Sequence, residues 1–302
     1  ARQPRVYGTV FAMGAGVLHG NTDVLITGGT YGSYRISSGI FAGSAWGGTV
    51  EGNTGIRITG GDFSESYVYG GSFGEDSSQA STIEGSSNVV IDGGTLSNVY
   101  SGGYNFSSIL IKGDAVMAVN AGNVANVYGG GGTVAGNVRT EIGGGTVGKA
   151  YGNYGSVGGD SLLLIGGGTV GTAYAASYGT AEGDSVLKLA GGTVEGDLVG
   201  TFQGTAKGDV KIIVEGGSVG GDIIGIRGYA EKNVDFVFLG NSDDIGFDGT
   251  VRTYYENDAF YTGRFSGKAT LQFGNSETMF SGEFGGSADG YGNMDIRVGD
   301  GS

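Results

Sequence analysis

One short pattern limits what this chain can become. Gly-[Asn/Asp/Ser]-x-x-Φ-x-Φ, with Φ apolar, recurs eleven times and is usually followed by x-Gly-Gly-[Thr/Ser]-Φ. The copies start at Asn21, Asn53, Ser86, Asp114, Asn137, Asp160, Asp184, Asp209, Asn233, Lys268 and Asn293. Lys268 stands outside the Asx/Ser set, and only Asn233 lacks the preceding glycine. The paired Φ positions run from Val24/Ile26 and Ile56/Ile58 through Ile142 and Leu163/Ile165 to Leu271/Phe273 and Ile296/Val298, with Thr140 the one non-apolar occupant.

Apolar residues two apart mark a strand with one buried face. Successive starts lie 23 to 35 residues apart. Near 23 to 25 the interval is too short for a strand, a packed helix and two loops, but it suits a coil of three short strands. Gly-Gly then supplies a corner that needs positive φ or close backbone approach. Stacking equivalent strands about 4.8 Å apart gives each amide a partner in the next coil. The expected fold is all-β: a parallel β-solenoid of about eleven coils, right-handed by the crossover rule.

Glycine makes up 69 of the 302 residues, and it is the residue whose ordering costs most entropy. Ladders running the length of a stack offset that cost. A hydrophobic content of 38%, with 17 Tyr and 14 Phe, is too rich for a solvated low-complexity tract. The chain reads as one domain: a joining half-coil over 1–20, regular coils over 21–239, an excursion or hairpin over 240–267, and terminal coils with an open end over 268–302. Two further columns support the register. Ten residues after each start comes an apolar site, such as Val147, Val170 and Val194. Fourteen after come Tyr67, Tyr100, Tyr128, Tyr151 and Tyr174, whose direction the pattern leaves open.

The repeated GG-T-V…YG coils, as in Gly144–Gly152 and Gly167–Tyr174, resemble the glycine-rich β-helical passenger regions of bacterial cell-surface adhesins, including autotransporters. The resemblance spans roughly residues 20–240, and the membrane β-barrel that follows an autotransporter passenger has no counterpart in these residues. It implies an extracellular or bacterial cell-surface protein with a structural or adhesive role. The lack of Cys fits a chain that folds outside the cell without oxidative help.

The ends suggest a partner. The tail NMDIRVGDGS stops at the Thr/Ser position of a corner, and Val6-Tyr7-Gly8 echoes the NVYGG around Tyr128. Joining one tail to another head places Asn293 and Asn21 30 residues apart, inside the observed range of intervals. A head-to-tail contact does not close and builds filaments, by strand addition. The expected partner is therefore another copy, with Val6, Tyr7, Val10, Ile296 and Val298 as joining residues. A longer passenger cut at these points is the alternative.

Chemistry is sparse. A net charge of −14 disfavours nucleic acid and anionic membrane surfaces, and no apolar run approaches the roughly 18 residues of a spanning helix. The outward position between the Φ residues reads Leu25, Arg57, Val90, Ala118, Glu141, Leu164, Lys188 and Ile213, which gathers no carboxylate pair for acid/base work. Arg139 and Glu141 read as a surface ion pair. No nucleophile or zinc motif occurs, so no enzyme and no cofactor are expected; a carbohydrate-active β-helix is the third reading, after fibre and adhesin. Asp160, Asp184 and Asp209 occupy successive coils and invite calcium, but capping of the local turn is the simpler reading. Leu162, Leu164, Val186 and Ile213 form an outward apolar patch, and Tyr254, Tyr255 and Tyr261 flank a turn near Glu256-Asn257-Asp258; both are candidates for lateral or adhesive contact with surface glycans or proteins. His19 reads as a loop histidine, and Trp46 as a core anchor or a binding aromatic.

Overall fold

The computed structural model describes residues 5–32, 39–74, 80–104, 108–240, 244–247, 249–254, 264–265, 267–274, 284–285 and 294–298. Every strand pairing among them is parallel, in one continuous sheet, and no helix is present among them. The chain is a parallel β-solenoid.

Each repeat start opens a strand of the first face. These stack without slip from Thr22–Ile26 through Val138–Ile142 and Ser161–Ile165 to Ala269–Phe273 and Met294–Val298. Ile142 lies directly beneath Ile165, and Leu163, Ile165, Leu187 and Leu189 are fully buried. The alternation thus does what its period dictates: one side of the strand fills the core, the other meets solvent. Eleven strands stack on this face, as the repeat count implies. The solenoid makes about nine turns, slightly fewer than the eleven coils expected.

A coil has four strand columns, one more than expected. The second runs through Thr146, Val147 and Thr169, Val170; the third through Val127, Tyr128 and Ala150, Tyr151. The fourth runs through Thr49–Val50, Ser81–Ile83 and Ile109–Ile111. Its side chains Val50, Ile83, Ile111, Val134, Val157 and Ala181 form a second, slimmer core beside the main aliphatic one. The extra column was invisible because its strands are two or three residues long and hold only one or two buried apolar residues each.

Glycine does its work at two kinds of place. The last Gly of the corner, just before the Thr/Ser/Asx position, takes a left-handed φ, as in Gly122 (98°), Gly145 (77°), Gly168 (74°) and Gly192 (76°), which side chains avoid. Gly129 is different: a Cβ there would lie 1.9 Å from the carbonyl oxygen of Gly152 in the next coil. Backbones at that corner approach too closely for any side chain.

The segment 240–267 keeps the solenoid pairing where it is described. Its described strands Ile245–Phe247, Val251–Tyr254 and Arg264–Phe265 pair in parallel with the preceding coil. The columns therefore run through the described parts of this long coil; the expected hairpin turn near Glu256-Asn257-Asp258 lies outside the described residues. At the other end, Arg5–Tyr7, Val10–Met13 and Val17–Leu18 occupy the second, third and fourth columns. Val6 pairs with Tyr31, so Phe11, which pairs with Phe41, occupies the column of Tyr128, and Tyr7 does not.

Candidate functional site

The Asx column is the molecule's most regular polar device. From Asn21 to Asn233 each start side chain accepts a hydrogen bond from the backbone N–H of the start in the next coil. Oδ1 of Asn21 accepts from Asn53 and Oδ1 of Asn53 from Ser86, each at 2.8 Å. Ser86 Oγ accepts from Asp114 at 3.0 Å, and Asp114 Oδ1 from Asn137 at 2.7 Å. The series continues through Asp160, Asp184, Asp209 and Lys268. The expected local turn cap is corrected: the acceptor serves a donor 23 to 35 residues away. At the corner before face one the strand leaves its own ladder, so this amide would otherwise lack a partner. A shorter copy occurs at a second corner, where Asp197 serves Asp222 and Asp222 serves Thr250.

The second oxygens of Asp184 and Asp209 face a cation of the chain itself. Lys211 Nζ bonds Asp184 Oδ2 at 2.7 Å and lies 3.7 Å from Asp209 Oδ2. An ammonium thus sits where a cation would be needed. Burial pushes the Asp184 carboxyl up, but the bonds from Lys211 and the Asp209 N–H outweigh it and hold the group below the ordinary carboxylate range. Arg227 and Arg252 pair likewise with Asp197 and Asp222. No cluster of three or more metal-ligating side chains exists among the described residues.

The tyrosine column is a stack. From Phe11 the rings run through Phe41, Tyr69, Tyr100, Tyr128, Tyr151 and Tyr174, with neighbouring centroids 4.4 to 5.1 Å apart. Tyr69, not Tyr67, holds the column in its coil, since Tyr67 pairs with Asn98; extra residues after Phe63 shift the count by two. Val127 belongs to the aliphatic core, and strand alternation puts Tyr128 on the opposite side. There Tyr154 and Tyr178 lie edge-on against the stack and its neighbours. Burial raises the phenols of Tyr69, Tyr100 and Tyr151 well above the ordinary value, and that of Tyr128 to about 12.

Of the contact candidates, Leu162, Leu164 and Val186 adjoin on the outer side of face one and are half-buried. The stem of Lys188 separates Ile213 from Leu164. Arg139–Glu141 at 2.9 Å and Lys188–Glu215 at 2.7 Å border the patch. Tyr254 pairs through its backbone with Ile226, Tyr255 and Tyr261 lie outside the described residues, and Ile296 and Val298 continue the first face above Leu271 and Phe273. His19 Nδ1 is 2.7 Å from Glu51 on the surface. Trp46, at φ 49° and 49% exposed, packs 5.2 Å from Phe11.

One feature escaped the sequence pattern. Asn21, Asp23, Asn53, Gly55, Ser86 and Asn88 line an open trough of about 470 Å³ on the first three coils. Its signal is the outward position two after the start, which holds Asp23, Gly55 and Asn88 there but Arg139, Leu162, Val186 and Lys211 farther along. Compared with known proteins, the chain matches no family model, and neither a curated protein nor a solved structure matches it.

Proposed function

We propose that this is a structural, non-catalytic protein of the extracellular space or bacterial cell surface, a polar β-solenoid rod that joins head to tail with further copies. The observation that carries the structural role is the unbroken first-face ladder from Thr22–Ile26 to Met294–Val298, which spans about 50 Å at the usual strand spacing. Joining is supported by strand edges. Among the described residues, Arg5–Tyr7, Val10–Met13 and Val17–Leu18 are paired on one side only, and Tyr7 and Val17 are 73% and 57% exposed. Open parallel edges with apolar side chains template a further strand.

Electron microscopy over a concentration series tests this reading. Filaments that shorten when Val10 is replaced by Lys support joining, since an edge charge blocks pairing. Strictly monodisperse particles at every concentration sink it. The second reading, an adhesin passenger that binds surface glycans or proteins, is favoured by the half-buried patch of Leu162, Leu164 and Val186; binding to a glycan or protein array by the monomer would support it.

A further inference from the structure

The outer surface of the first face is hollow over its first three coils, and the rod role makes no use of the hollow. In register from coil to coil, the column reads Asp23, Gly55, Asn88 and Val116. Gly55 leaves a gap between two polar side chains, and Val116 closes one end. The trough's volume, about 470 Å³, lies within the range of about 300–1,000 Å³ typical of small-molecule sites.

Its polar groups are placed but unspent. The ladder fixes the amides of Asn21 and Asn53, because each Oδ1 is committed to the next coil's N–H at 2.8 Å. Each Nδ2 then remains a donor with no partner among the described residues, on successive coils about 4.8 Å apart. Asp23 and Asn88 are exposed and make no side-chain hydrogen bond among the described residues. No cation lines the trough, whereas Asp184 of the same ladder is matched by Lys211.

These groups select a ligand chemistry. An anion would meet Asp23 and a chain of net charge −14 without a counter-charge. A flat apolar ligand finds no aromatic floor. A lone carboxylate is too little for calcium, which takes 6 to 8 oxygen ligands, roughly. A neutral saccharide satisfies every group: its hydroxyls donate to the Asp23 carboxylate and accept from the amides. We propose that this trough binds a neutral saccharide laid along the solenoid axis across Gly55. The site lies within one molecule and does not depend on end-to-end joining.

The test is protein-observed NMR of the full chain titrated with cellobiose, lactose and N,N′-diacetylchitobiose, with a digalacturonate as the anionic control. At least one neutral disaccharide is expected to shift the amide signals of Asp23, Gly55 and Asn88, and the digalacturonate is not. Gly55→Val should weaken binding at least tenfold by filling the gap. The added Cβ meets the end of the Asp23 side chain at 2.8 Å, which can turn aside, and the Thr22 carbonyl oxygen at an ordinary 3.5 Å, and Gly55 has no left-handed φ, so the fold is retained. Asp23→Ala with Asn88→Ala, which removes two exposed side chains, is the second variant and should also weaken binding tenfold. The proposal is overturned if no neutral probe shifts these signals up to about 10 mM, where a millimolar Kd would be evident. Binding unchanged in both variants, or equal binding of the digalacturonate, overturns it as well.

Discussion

Tyr128 and Tyr151 stack with ring centroids 4.8 Å apart and planes 1° from parallel. Each is also a neighbour of a second stacked ring, so removing one breaks two stacked contacts. Tyr128→Ala should cost about 3–5 kcal/mol, the range for large aromatic truncations, read from denaturant midpoints. Tyr128→Phe keeps the stack and should cost under about 1.5 kcal/mol. Equal losses in the two variants would show that the ring contacts carry little.

The same column sets an alkaline limit. The stacked phenols have folded pKa values above their unfolded value, with Tyr128 at about 12. Such groups contribute stability that is complete below the unfolded value of about 10 and is lost as pH rises through the folded one. Denaturant midpoints should fall from about pH 10 upward, and the phenolate absorbance should appear together with unfolding. Free titration of these tyrosines in a folded chain would contradict the buried stack.

On the acid side the pair Asp184–Lys211 matters. The Asp184 carboxyl is depressed, so its contribution is present above the ordinary carboxylate value of about 4 and lost as pH falls through the folded value. Asp184→Asn keeps the ladder oxygen and loses the charge; Asp184→Ala loses both and should be the less stable. A chelator should leave the melting temperature unchanged, because Lys211 already holds the cationic position. A chelator-sensitive melt would restore the metal reading. Asn137→Ala, which orphans the Asp160 N–H, should cost about 1 kcal/mol.

Thr140 is fully buried, and its hydroxyl has no hydrogen-bond partner among the described residues. Thr140→Val keeps the shape and removes the stranded polar group, so it should stabilise by about 1 kcal/mol or more. A lower melting temperature in that variant would mean the hydroxyl is satisfied.

Gly129→Ala should be among the most damaging single changes. The methyl group would fall 1.9 Å from the Gly152 oxygen, and neither backbone can retreat without breaking the ladder. Loss of the folded state, by circular dichroism, is the expected outcome.

The first face was readable because period-2 alternation is local: Leu163 and Ile165 announce themselves within five residues. The Gly-Gly corners were readable for the same reason. What a local reading cannot see is a partner one coil away. Asn53 looked like a turn cap, and its acceptor serves Ser86, 33 residues on. The Tyr67-for-Tyr69 slip shows that fixed offsets fail where a loop changes length. Likewise the trough is written in Gly55, whose meaning depends on Asp23 and Asn88 in the coils on either side.

The backbone bonds between coils run along the rod while the covalent chain winds around it. Tension applied to the two termini therefore loads one coil interface at a time instead of shearing all of them together. Each coil that lets go releases 23 to 35 residues of slack, on the order of 100 Å of extended chain. Under load the molecule would pay out like line from a reel, absorbing extension in discrete steps while the unspent coils stay wound.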